Sequence, residues 1–174
     1  MSRTEAHAGV FLLDKYQELQ FWYPVLRFRE EGIRVTIIGR GEGTTFSRLG
    51  YPVVAEAPWS AVPNDCTLLL APDARLPLDR VTSEHLSAAL RAAYGRGATV
   101  AAIGASVTLL AGAELLKGIR VAATERLRAG LNAKGAMLSE LAVCNDRRIL
   151  TARGVDDLPE FFQAVLASMQ EKAA

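Results

Sequence analysis

Residues 98–118 read ATVAAIGASVTLLAGAELLKG, and this stretch decides the architecture. Ala98 to Ile103 is an uninterrupted apolar run closed by a glycine, which predicts a strand buried on both faces. Gly104, Ala105 and Ser106 form a turn, Val107 to Leu116 has helical spacing with Ser106 as its N-cap, and Gly118 closes that helix. The alternation continues upstream, where Ala8 to Leu13 (AGVFLL), Arg34 to Ile38 (RVTII) and Thr67 to Leu70 (TLLL) are short apolar or β-branched runs that read as strands. Helices are predicted over Tyr16 to Glu31, stopped by Gly32, and over Ser83 to Tyr94 with Ser83 as N-cap. Pro52 to Ala55 is expected at a sheet edge, where a strand-initial proline is tolerated. Downstream, Ile119 to Thr124 reads as a strand, Ala142 to Thr151 as a hairpin around Asn145 and Asp146, and Leu158 to Met169 as an amphipathic helix.

Continuous apolar strands separated by helices predict a mostly parallel sheet covered on both faces, an open three-layer α/β domain. Ligands bind such sheets outside the carboxyl ends of the strands. The segments to inspect are therefore Asp14 to Gln20, Gly39 to Thr44, Ala71 to Arg75, Gly104 to Val107 and Thr124 to Arg128.

Composition narrows the function. A chain of 174 residues, half of them apolar and 22% charged, is expected to form one domain over residues 1–174 rather than a disordered or polyelectrolyte chain. The 20 basic and 19 acidic residues leave a net charge of +1, which argues against nucleic acid as a partner. No apolar run reaches the roughly 18 residues of a membrane helix, and Met1 to Ala8 carries charges where a signal peptide would be apolar. A cytoplasmic protein without a membrane partner is expected. Cys66 and Cys144 stand far apart without a CxxC pairing, and His7 and His85 are the only histidines, so neither a disulfide framework nor a metal site is expected. Both cysteines read as buried and structural.

Four segments together, ELQFWYPVLRFREEG (18–32), GYPVV (50–54), VAAIGASVTLLAGAELLKG (100–118) and LTARGVDDLPEFF (150–162), resemble the DJ-one/ThiJ/PfpI superfamily, the class I glutamine-amidotransferase-like fold. The resemblance runs over nearly the whole chain and implies a flavodoxin-like three-layer sandwich, a mostly parallel sheet with helices on both faces. It also implies a homodimer or higher homo-oligomer. In that superfamily the strand matching Val100 to Ile103 ends in a sharp turn that holds a nucleophilic cysteine. Here Gly104 stands at that position, followed by Ala105. A glutamate that usually bonds the cysteine, four residues before a proline, is matched by Gln20, four before Pro24. The Pro-Gly-Gly segment that lends N–H groups to an oxyanion hole is matched by Ala71-Pro72-Asp73, which lacks one donor and adds a negative charge.

Protease, deglycase and glyoxalase chemistry need a thiolate, and a glycine supplies none. The reading is a repurposed pocket that acts without a cofactor on a small carbonyl-type metabolite by acid/base chemistry: cyclisation, dehydration, hydration or isomerisation. The catalytic candidates are Asp14, Glu18 and Gln20; Asp73, Gly104, Ala105, Ser106, Thr124 and Arg126 are expected to line the pocket. The alternative is a noncatalytic pseudoenzyme that binds a small ligand or a protein partner. Plainer roles stay open for several residues. Asp14 and Glu18 fit a helix N-terminus or a surface contact, Ser106 fits an N-cap alone, Asp73 fits a turn cap, and Thr124 with Arg126 fits a role in pocket shape only. His85 fits a solvated helix face. Phe21, Trp22 and Tyr23 fit the core at helical spacing, with one ring free to wall the pocket. GRGEG (39–43) lacks the helix that a dinucleotide loop requires and reads as a connection.

Overall fold

The computed structural model describes residues 6–170, so most of the Met1 to Ala8 segment lies outside it. Its strands are β1 (His7–Phe11), β2 (Arg34–Gly39), β3 (Thr44–Phe46), β4 (Pro52–Val54), β5 (Ala57–Pro58), β6 (Leu68–Ala71), β7 (Thr99–Ile103), β8 (Arg120–Val121), β9 (Met137–Leu138), β10 (Val143–Asp146) and β11 (Ile149–Ala152). Its helices are α1 (Glu18–Glu30), α2 (Arg80–Gly95), α3 (Val107–Gly112), α4 (Glu125–Ala133) and α5 (Leu158–Gln170). The main sheet runs β10-β11-β7-β6-β1-β2-β5. Every neighbouring pair is parallel except β10 with β11.

Alternating side chains of the central strands feed two separate cores. Leu69 and Ala71 of β6 and Val100 and Ala102 of β7 meet Leu86 and Leu90 of α2 and Val107 and Leu110 of α3. Leu68, Leu70, Ala101 and Ile103 turn the other way, onto Phe21, Val25 and Phe28 of α1 and Phe161, Phe162 and Val165 of α5. This is why the strands are apolar without alternation: both faces are covered. The fold is the mostly parallel α/β sandwich that the sequence predicts. The chain leaves β1 for a helix on one face and leaves β6, its neighbour, for a helix on the other. The topological switch point, where such sheets open a crevice, therefore lies between the carboxyl ends of β1 and β6.

Several boundaries differ from the sequence reading. Helix α2 starts at Arg80, not Ser83, because Asp79 is the cap and accepts the Thr82 N–H at 3.0 Å. Helix α3 stops at Gly112 rather than Leu116; Glu114 takes φ +60° and the chain turns to bury Leu116. The strand expected over Ile119 to Thr124 is only Arg120–Val121, paired with β9 outside the main sheet. Past Val121 the next N–H, of Ala122, goes to the Thr151 hydroxyl at 2.8 Å instead of a neighbouring strand. Pro52–Val54 pairs with β3 in a separate hairpin, and the edge of the main sheet is Ala57–Pro58. The 39–43 loop leads into that hairpin rather than a helix. Ser106 is not a side-chain cap: its backbone is already helical, and its hydroxyl donates to the Pro72 carbonyl at 2.7 Å.

Candidate functional site

Three loops meet at the switch point: residues 12–17 after β1, 72–79 after β6 and 104–106 after β7. The turn after β7 is the tightest, with Gly104 at φ +61°, a conformation that L side chains rarely adopt. A Cβ at Gly104 would lie 3.0 Å from both Cγ and Oδ2 of Asp73. The Asp73 carboxylate therefore sits directly over the turn, in the space a side chain at position 104 would enter. One of its oxygens accepts the Ala105 N–H at 3.2 Å, and the other lies 3.0 Å from the Arg48 guanidinium.

The loop that carries Asp73 is fixed from several sides. Its own N–H donates to Gln20 Oε1 at 2.9 Å and its carbonyl accepts the Gln17 N–H at 2.7 Å. The Ser106 hydroxyl holds Pro72, and the Arg75 N–H donates to the Asp14 carbonyl at 3.0 Å. Gln20 is buried and reaches across from the first turn of α1, where Gln17 caps the helix by accepting the Gln20 N–H at 2.7 Å. A glutamine suits this place because its carbonyl oxygen accepts without bringing a second carboxylate beside Asp73.

The other expected residues divide. Asp14 is exposed and lies 3.7 Å from the Arg75 guanidinium. Glu18 turns to the hairpin, where Oε1 accepts the Leu49 N–H at 2.7 Å. Desolvation works to raise the Glu18 pKa, yet hydrogen bonds from the Ser47 side chain and the Leu49 N–H hold it below the ordinary glutamate value. Thr124 is exposed at the start of α4 and makes no capping bond with its side chain. Arg126 lines an open cleft of about 580 Å³ together with Arg48, Asp73, Arg75, Ala105 and Leu127. None of Phe21, Trp22 and Tyr23 lines it.

Arg48 and Arg75 were not among the expected site residues. Arg48 comes from the β3–β4 connection, where Ser47-Arg48-Leu49-Gly50 has the look of an ordinary turn and no periodicity marks its direction. The two thiols are remote and closed. Burial pushes the Cys66 thiol up to about 12 and also raises that of Cys144, whose Sγ donates to the Arg120 carbonyl. Among the described residues no group of three or more His, Cys, Asp or Glu is placed to hold a metal ion. No helix among them is long and apolar enough to cross a membrane.

Comparison with known proteins agrees with this architecture. The sequence model of the DJ-1/PfpI family matches residues 6–168. A protein of Archaeoglobus fulgidus is 29% identical over 149 residues, covering 85% of this chain and 89% of its own length. A Thermococcus kodakarensis protein named as a deglycase is 27% identical over 146 residues, covering 83% and 88%. A two-domain Anabaena variabilis protein with DJ-1/ThiJ/PfpI-like and ferritin-like domains superposes with a TM-score of 0.89 at 18% identity, over 95% of this chain. This chain spans 48% of that protein, and at such identity the likeness speaks for the fold alone. With the family pattern running from residue 6 to residue 168 and its parallel sheet built around the Gly104 turn, the chain belongs to the DJ-1/PfpI family.

Proposed function

We propose that this protein acts without a thiol, by proton transfer through Asp73 to or from a small carbonyl compound, and needs no cofactor. One observation carries the reading: the Asp73 carboxylate lies over the Gly104 turn, 3.0 Å from where a Cβ at position 104 would be. The family resemblance gives that space to a cysteine side chain, and here a carboxylate fills it. A thiol that attacks covalently is replaced at this turn by a carboxylate that exchanges a proton. Dehydration and isomerisation take that proton from a carbon beside the carbonyl, and hydration and cyclisation take it from the attacking water or hydroxyl, so one carboxylate can serve any of them. In this reading Gln20 and Glu18 are positioning residues: Gln20 fixes the Asp73 backbone, and Glu18 fixes the hairpin that carries Arg48. Asp14 stays with Arg75 at the rim.

The test is deuterium uptake into the methyl group of pyruvate in D2O, followed by proton NMR. Acceleration by the wild-type protein, lost at least about 100-fold in Asp73→Asn and kept in Asp14→Asn, is expected, since a positioned general base contributes 10²–10⁴-fold. Full exchange in Asp73→Asn overturns the reading. A second reading, binding without turnover, is favoured by the two partners already engaged with the Asp73 oxygens, Ala105 N–H and Arg48; it predicts saturable binding with no exchange.

A second copy of the chain is the proposed protein partner. Leu19 and Leu26 of α1 and Leu49 and Tyr51 of the hairpin are exposed large apolar residues, the kind of surface that self-association covers. Light scattering after size-exclusion chromatography reads the mass, and a monomer at all concentrations rules this out.

A further inference from the structure

The cleft beside Asp73 is cationic, and this bears on which carbonyl compound it takes. Three guanidiniums line it, those of Arg48, Arg75 and Arg126, against one lining carboxylate, Asp73. Arg48 is matched by Asp73 at 3.0 Å. Arg75 faces Asp14 at 3.7 Å, with both side chains more than half exposed, a contact too long and too wet to neutralise it firmly. Arg126 has no ion-pair or hydrogen-bond partner among the described residues; its neighbour Glu125 is turned to Arg128 at 3.4 Å. One positive charge is thus left over on the wall of the cleft that Asp73 also lines. Arg126 also stands in the first turn of α4, whose N–H groups receive no side-chain cap from Thr124.

We infer that the cleft selects a carbonyl compound bearing an anionic group, a carboxylate or a phosphate, held by Arg126 with Arg75 so that its carbonyl end faces Asp73. The inference rests on the Asp73 reading and adds the charge of the substrate to it. The planar guanidinium fork suits both anions, and an unpaired arginine on an open wall offers its donors without first breaking a pair. A neutral carbonyl compound would leave that charge unmatched and use only the contacts near Asp73.

Matched probe pairs test it by calorimetry: pyruvate against methyl pyruvate, and dihydroxyacetone phosphate against dihydroxyacetone. The anion of at least one pair is expected to bind at least about tenfold more tightly than its neutral partner, the scale of one charge-assisted hydrogen bond. Which pair shows the preference tells carboxylate from phosphate. Arg126→Ala should remove most of the preference and leave only what Arg75 supplies, while Arg126→Lys keeps more of it; circular dichroism confirms that the exposed substitution leaves the fold intact. Neutral probes that bind as tightly as the anions, or a preference undiminished in Arg126→Ala, overturn the inference, and so does the absence of binding by every probe. Anion preference without deuterium exchange sinks the Asp73 reading and leaves the charge selection standing. Exchange on methyl pyruvate as fast as on pyruvate does the reverse.

Discussion

The two ends of the parallel sheet both gather charged and polar side chains, and only the carboxyl end leaves a charge without a partner among the described residues. At the amino end, His7 opens β1 almost fully buried, with Nδ1 2.9 Å from Asp65 Oδ1 and Nε2 2.8 Å from Thr36 Oγ1. A carboxylate can only accept, so Nδ1 carries the proton, and in the neutral ring Nε2 accepts from the Thr36 hydroxyl. Arg34 closes the set by pairing with Asp65. Each of these groups answers another of the same set. At the carboxyl end the cluster is uneven: Asp73 is shared by Arg48 and Ala105, Arg75 is loosely matched, and Arg126 has no partner among the described residues beside a cleft of about 580 Å³. A His–Asp–Thr constellation resembles catalytic machinery more than an arginine-lined loop does, yet its hydrogen-bonding atoms are already taken up by one another. A surplus charge beside a cleft distinguishes the two ends better than the identity of the residues.

On the proposed reading the amino end is a stability element and the carboxyl end the functional one, and substitutions can separate these roles. The largest expected effect is from His7→Ala. It removes two hydrogen bonds in a buried place and leaves Thr36 and Asp65 without their partner, costing about 2–4 kcal/mol. Urea denaturation should show a lowered midpoint with unchanged slope, and pyruvate exchange per folded molecule should not move. An unchanged midpoint breaks the comparison. Next is Gly104→Cys, which places a side chain at φ +61° and 3.0 Å from Asp73, costing about 1–3 kcal/mol from backbone strain and overpacking. Adding Asp73→Gly should restore the part due to the clash and yield a thiol that iodoacetamide labels faster than Cys66. With Gln20→Glu as well, weak hydration of glyoxal is expected if the turn keeps the geometry of thiol-bearing relatives. A double variant no more stable than Gly104→Cys alone shows that Asp73 does not occupy that space.

The layers of the fold were legible because burial writes itself into the strands: TLLL and TVAAI have no polar face, so two covering layers follow. The Gly104 turn was legible for the same local reason. What governs the site was not. Asp73 was visible as a charge where a donor was expected, but its seat over Gly104 depends on the register of β6 with β7, where Ala71 lies opposite Ala102. Arg48 reaches Asp73 from a hairpin 25 positions earlier, and no periodicity records that approach. In the sequence His7 counts only toward the shortage of histidines for a metal site and toward a segment short of apolar residues. Its partners Thr36 and Asp65 are brought to it by strand pairing, which local pattern does not carry.

A smaller effect is expected from Gln20. Gln20→Ala leaves the Asp73 N–H without its acceptor and costs about 1–2 kcal/mol, whereas Gln20→Glu keeps an acceptor at the same reach. If Gln20 positions Asp73 rather than touching the substrate, the alanine variant should slow pyruvate exchange and the glutamate variant should restore much of it. Equal rates in all three proteins would separate the Asp73 loop from the chemistry.

The smallest effect is in acid, where both ends respond with the same sign. A hydrogen bond from His7 is the main cause holding the Asp65 carboxyl below its ordinary value; desolvation opposes it, and Arg34 adds to the lowering. At Glu18 desolvation is again opposed, there by Ser47 and Leu49. A carboxyl with a lower pKa folded than unfolded adds stability above its unfolded value and loses it as pH falls through the folded one. Stability should therefore decline as pH drops below about 4.5. Asp65 is 58% exposed, so screening keeps its share under about 1 kcal/mol. Urea midpoints from pH 6 to pH 3 test this: Asp65→Asn and Glu18→Gln should each flatten the acid limb, and only loss of the acceptor, in Glu18→Ala, should also alter pyruvate exchange at neutral pH, because Glu18 helps to anchor the hairpin that carries Arg48. If Asp65→Asn changes exchange as well, the closed end communicates with the cleft and the division between the two ends fails.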